Sequence, residues 1–162
     1  MNYQKDRTFL GRLFYSMTMT LSMSLVKHKW LWILLNLTWG IAYTIFGCLV
    51  ALVMLISGHK AEKFGRCYRI AAGKSWGGFE LCFFFLVDNN KYFITSAHEV
   101  GHSYQNAIYG PFVLLLCVIP SVIRYWCRRL TKDKDKLKDY DAIWFEGSAT
   151  DIGLISMERD AR

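Results

Sequence analysis

No charged residue occurs between Trp30 and Gly58. A run of about 20 apolar residues already crosses a bilayer. A chain of 162 residues has too little core to hide every face of a longer apolar helix. Residues 30–57 are therefore expected to form one transmembrane helix. Lys27, His28 and Lys29 precede it, His59, Lys60 and Lys63 follow it, and Trp30, Trp32 and Trp39 suit its interfacial ends. A short h-region and cleavage site are also missing: the apolar run is too long, and its charged exit resembles a stop-transfer pattern. No CxxC pair is present, and the five cysteines (Cys48, Cys67, Cys82, Cys117, Cys127) are odd in number. That argues against a disulfide framework or a cysteine zinc site and for thiols that behave as small hydrophobes. No nucleic-acid motif accompanies the net charge of +7, and no internal repeat occurs. The basic residues sit beside apolar runs, as in Lys60, Lys63, Arg66, Arg69 and in Arg124, Arg128, Arg129. Anionic lipid headgroups explain this placement better than nucleic acid does.

Against these absences stands one short pattern, His98-Glu99-Val100-Gly101-His102. Residues i and i+4 share a helix face, so the two imidazoles can hold one metal ion. Glu99 then lies where it can take a proton from a water on that metal. Only four histidines and five glutamates occur in the chain, so such a pattern arises by chance with odds of roughly 0.3 per cent. Gly101 weakens a helix interior, which implies a close approach there. Ser96 and Glu99 also have the spacing of a capping box, a purely structural role that competes with the catalytic one.

The rest of the chain supplies the frame. Residues 1–29 read as an amphipathic segment lying on the membrane surface. Residues 58–75 read as a basic connector. Trp76 to Val87 and Lys91 to Thr95 are expected to be two strands of a β-hairpin, turning at Asp88-Asn89-Asn90. The metal-binding helix should run from Ser96 to about Ile108 and stop at Gly110-Pro111. Pro111 to Cys127 forms a second apolar helix of marginal spanning length, crossing or re-entrant, kinked at Pro120. Residues 131–141 alternate in charge and read as a solvated loop. The expected fold class is thus a mainly α integral membrane protein: a single membrane-anchored domain over 1–162, with its reactive core in 76–151.

A catalytic zinc ion takes three protein ligands and keeps one position open. The position three after His102 is Gln105, and no later histidine exists. Of the downstream carboxylates, Asp133, Asp135, Asp139 and Asp141 fall in the charged loop. Glu146 lies among Trp144, Phe145 and Ala149, where a lone carboxylate is costly to bury unless paired or metal-bound. Its structural alternative is an acid at a helix N-terminus. Asp151 is the candidate for orienting a histidine from behind.

His98-Glu99-x-x-His102 followed by Glu146-Gly147-Ser148-Ala149 resembles the gluzincin pattern of membrane peptidases of the HtpX type. The wider His98-Glu99-x-Gly101-His102-x-x-Gln105 stretch resembles small bacterial membrane proteins with an HExGHxxQ core. The resemblance covers roughly residues 76–151. It implies a zinc metallopeptidase of a bacterial inner membrane, with Zn2+ on His98, His102 and Glu146 and with Glu99 as the base. The family's Asp after the alanine is Thr150 here. The implied partners are the lipid bilayer and a peptide or membrane-protein substrate, with oligomerisation as a way to complete a cleft. Tyr104, Tyr109 and Tyr140 are candidates to stabilise the oxyanion. A non-enzymatic membrane adaptor and a metal-dependent lipid hydrolase are the competing expectations.

Overall fold

The computed structural model describes residues 8–132 and 138–162. Asp133 and Asp135 lie outside them. Six helices and four short strands make up the described chain. Helix α1 (Phe9–Lys27) starts at Thr8, whose hydroxyl accepts the Gly11 N–H. The surface segment expected over 1–29 is this helix, but its polarity is reversed. Thr18 and Ser22 are buried, whereas Leu10, Leu13, Met17 and Leu21 face outward.

The single transmembrane helix expected over 30–57 is not formed. The chain makes α2 (Lys29–Leu37) and α3 (Ile41–Ile56), bent by 89° at the break. The break follows from buried polar groups, not from proline. Asn106 Nδ2 donates to Asn36 Oδ1 at 2.7 Å, and the Thr44 hydroxyl donates to the Asn36 carbonyl at 2.8 Å. Gly40 passes so close to Asn106 that a Cβ there would sit 2.7 Å from its Nδ2. Among the described residues no single helix is long and apolar enough to cross a membrane, though two bent pairs are by length and composition.

The basic connector expected over 58–75 is instead a hairpin. Strand β1 (Ala61–Phe64) pairs antiparallel with β2 (Cys67–Ala71). β2 runs parallel to β4 (Phe84–Val87), and β4 is antiparallel to β3 (Gly78–Leu81), giving the order β1-β2-β4-β3. The expected hairpin between 76–87 and Lys91–Thr95 is therefore corrected. Trp76–Val87 itself folds back at Cys82-Phe83. β4 is paired on both edges, so Lys91–Thr95 finds no strand partner and the backbone turns helical at Phe93. The Asp88 turn does form, with Oδ1 accepting the Asn90 N–H at 3.0 Å.

Helix α4 (Phe93–Tyr109) ends at Gly110, which adopts φ 51°. The second apolar segment then proceeds through a 3-10 turn (Gly110–Phe112) and a π-turn (Leu114–Val118) into α5 (Ile119–Leu130). It turns back on α4 by 118°. A second 3-10 turn (Tyr140–Ala142) leads into α6 (Trp144–Asp160).

α4 and α6 pack backbone to backbone. A Cβ on Gly101 would lie 1.8 Å from the Ala149 carbonyl oxygen, and one on Gly153 1.8 Å from that of Ala97. Ala97 and Gly101, like Ala149 and Gly153, are four apart, so two small-residue faces meet antiparallel. The close approach read from Gly101 is thus real, and it sets the depth of the site between these helices.

Candidate metal centre

α4 brings His98 and His102 onto one face, one helical turn apart. Their Nε2 atoms lie 3.0 Å from each other. Across the contact, the first turn of α6 presents Glu146, with Oε2 at 3.1 Å from His98 Nε2 and 3.3 Å from His102 Nε2. Ligands about 2.0–2.1 Å from a tetrahedral ion are separated by roughly 3.3 Å, so this triangle fits such an ion above its plane. Glu146 has no solvent exposure, and its carboxylate is faced by both imidazoles and by the Tyr140 hydroxyl. Its position in the first turn satisfies the helix-terminus role as well, but that role does not require full burial.

The outer ring nitrogens explain why both Nε2 atoms face the carboxylate. Gln105 Nε2 donates to the Phe145 carbonyl at 2.6 Å and to Ser148 Oγ at 2.9 Å. A carbonyl only accepts, so the amide orientation is set and Oε1 faces His102 Nδ1 at 2.8 Å. His102 must carry its proton on Nδ1, which leaves the Nε2 lone pair facing the centre. His98 Nδ1 lies 2.7 Å from Thr150 Oγ1, and the Thr150 hydroxyl bonds to Asp141. Because that hydroxyl donates to the carboxylate, its oxygen accepts from His98 Nδ1. Two ring nitrogens and a carboxylate oxygen thus converge on one point, an arrangement that a shared proton or a metal cation relieves. Burial by itself would raise the Glu146 pKa; the two imidazoles overcome this and hold it far below the usual carboxylate range. Burial opposes charge on His102, but the Glu146 carboxylate pushes its pKa up to about 9, so a metal binding here displaces the proton that the two share.

Two expectations change here. Asp151 does not orient a histidine; its Oδ2 accepts the Tyr15 hydroxyl of α1. Residue 151 lies about 100° further round the helix than 150, and that rotation aims it at α1. Thr150 takes over, its Oγ1 2.7 Å from His98 Nδ1. Asp141 was assigned to a solvated loop, yet the 3-10 turn at Tyr140–Ala142 folds it onto α6, where burial raises its pKa. Gln105 and Asp141 are the functional neighbours that sequence reasoning missed. Gln105 had a signal, since it lies one turn after His102 on the same face.

Glu99 is buried, and its carboxylate reaches the wall of a cavity of about 210 Å³ shared with His98 and His102. The capping-box role is excluded because Ser96 lies inside the first turn, its N–H bonded to the Tyr92 carbonyl. Glu99 instead lies against β3: a Cβ on Gly78 would be 2.4 Å from its Oε1. Burial raises the Glu99 pKa, opposed by His98 and His102.

The tyrosines sort themselves. Tyr104 bonds Ser156 at 2.6 Å, and Tyr109 bonds Thr18, both away from the centre. Tyr140 lines the cavity, its ring centroid 6.2 Å from that of His98. A further carboxylate, Glu80 on β3, is also in the wall. Its Oε1 accepts the Cys82 N–H, holding Cys82 at φ 65°, and burial pushes its pKa up to about 8. Tyr43 of α3 donates to the Glu80 carbonyl at 2.7 Å, so the cavity draws on α3 as well as 76–151.

No family model, curated protein or solved structure matches the chain.

Proposed function

We propose that this chain is a membrane-seated, zinc-dependent hydrolase that cuts peptide bonds. The observation that carries it is the close triangle of His98 Nε2, His102 Nε2 and the fully buried Glu146 Oε2, with Glu99 in the adjoining cavity. Bound there, a zinc ion supplies a water of lowered pKa and polarises the carbonyl to be cut. Glu99 accepts the proton of the attacking water and returns it to the leaving nitrogen. Thr150 and Gln105 hold each imidazole in the tautomer that leaves Nε2 free. Tyr140 faces the position where negative charge develops on the carbonyl oxygen. Substrate main chain docks on β3, an edge strand of the sheet.

The membrane half of the reading rests on α3. Its outward face carries Ile45, Leu49, Leu52, Val53 and Ile56, while Tyr43, Thr44, Gly47 and Ala51 face inward. A helix that is apolar outside and polar within suits lipid, not water.

The test is zinc content and turnover in detergent. His98→Ala and Glu146→Ala are expected to lose zinc. Glu99→Gln is expected to keep it and to lose at least about a hundredfold in peptide cleavage. Full zinc retention by Glu146→Ala would remove the third ligand and, with it, this proposal.

A further inference from the structure

We propose that two cavities meeting at Glu99 form one substrate channel, which takes a polypeptide that is apolar on one side of the scissile bond and acidic on the other. This inference rests on the peptidase reading above. The first cavity runs along the π-turn and α5 and is walled by Val113, Cys117, Val118 and Val122. Its second carboxylate, Glu80, has a pKa near 8, so this half carries little charge at neutral pH. The other cavity, of about 500 Å³, opens on the far side and is flanked by Arg128 and Arg129. Both cavities share Gly78, His98, Glu99 and Tyr140 in their walls, so the reacting position is their junction.

The two guanidinium groups are held in place without being neutralised. Arg128 donates to the Lys138 carbonyl and lies 5.6 Å from the Tyr140 ring centroid. Arg129 donates to Tyr125 Oη at 2.7 Å. Each bond uses one of five N–H donors, and among the described residues no carboxylate pairs with either arginine. Asp141 lines the same half, its carboxylate accepting from Thr150, and the two arginines outnumber it. Bidentate carboxylate recognition is what a preset guanidinium does well. An anionic lipid has the same polarity, a tail and a charged head. The polypeptide is favoured because β3, whose first residue Gly78 lies in both walls, is an edge strand of the sheet, which offers main-chain pairing that a lipid cannot use.

The experiment measures binding separately from cutting. Zinc-loaded Glu99→Gln protein in detergent is titrated with short fluorescent peptides, apolar on one side and carrying Asp on the other, in both orders, and with their Lys counterparts. The Asp peptide in one order is expected to bind about tenfold tighter than its Lys counterpart. Arg128→Glu with Arg129→Glu is expected to reverse that preference, and Arg128→Lys with Arg129→Lys to preserve its sign. Equal affinity for Asp and Lys peptides, or a preference unchanged by charge reversal in protein that retains zinc, overturns the channel. Displacement of the Asp peptide by phosphatidylglycerol micelles at lower concentration than by unlabelled peptide overturns the polypeptide assignment. Selective binding with no cleavage by the wild-type chain supports the channel and overturns the peptidase reaction instead.

Discussion

Helix pairs α4–α6 and α2–α3 solve opposite problems. α4 and α6 meet through glycine and alanine and bury polar side chains between them: Gln105, Glu146 and Ser148. α2 and α3 turn apolar side chains outward and keep Asn36, Thr44 and Gly47 inside. In the first pair the buried polar atoms converge on a carboxylate set between two imidazoles. In the second Asn36, Thr44 and Asn106 are linked to one another by hydrogen bonds, with Asn106 Oδ1 left without a partner among the described residues. The difference separates a site from a structural joint. Both are buried polar clusters, but only one gathers ionisable groups.

Three changes test that contrast. The largest effect is expected from Gly101→Ala. The added methyl would overlap the Ala149 carbonyl, forcing α4 and α6 apart and taking Glu146 away from both imidazoles. Loss of about 3 kcal/mol or more is expected in denaturant unfolding, with bound zinc falling towards zero. A variant that unfolds normally and holds a full equivalent of zinc would show that the backbone contact does not set the site.

Thr150→Val comes next. It keeps the shape and removes the oxygen that accepts from His98 Nδ1. Zinc affinity, read by competition with a chelator, is expected to fall about 10–100-fold, with little change in unfolding. An unchanged affinity would transfer the orienting role elsewhere.

The smallest effect on the site is expected from Leu49→Lys with Leu52→Lys, both on the outward face of α3. Zinc content should be unchanged, and unfolding in detergent should move by no more than about 0.5 kcal/mol per position. Recovery in the membrane fraction should drop, because a lysine at mid-bilayer costs about 2.5–3.5 kcal/mol. Undiminished membrane recovery would place α3 outside the lipid.

The reactive residues were legible because their chemistry is local. His98, Glu99 and His102 lie within five residues, and helical spacing alone puts the two imidazoles on one face. Glu146 was legible by exclusion, as a carboxylate in apolar company. The break between α2 and α3 was not. It depends on Asn106, seventy residues from Asn36, and nothing in residues 30–57 reveals that partner. The sheet was hidden for a similar reason: β2 and β4 pair in parallel across an intervening strand, and such pairing leaves little trace in local alternation. Asp151 and Thr150 show the limit most sharply. One position along a helix is about a hundred degrees of rotation; that decided which side chain reached His98 and which reached Tyr15.

By itself, the sequence determined the residue types able to hold and use a metal, and the apolar runs that must leave water. Tertiary structure alone decided which groups stand behind the imidazoles, where the long apolar run bends, and which strand edge borders the site. The physical reason is range. Helical periodicity and desolvation act within a few residues, whereas a tautomer is set by whichever distant oxygen the packing of α4 on α6 brings within hydrogen-bonding distance.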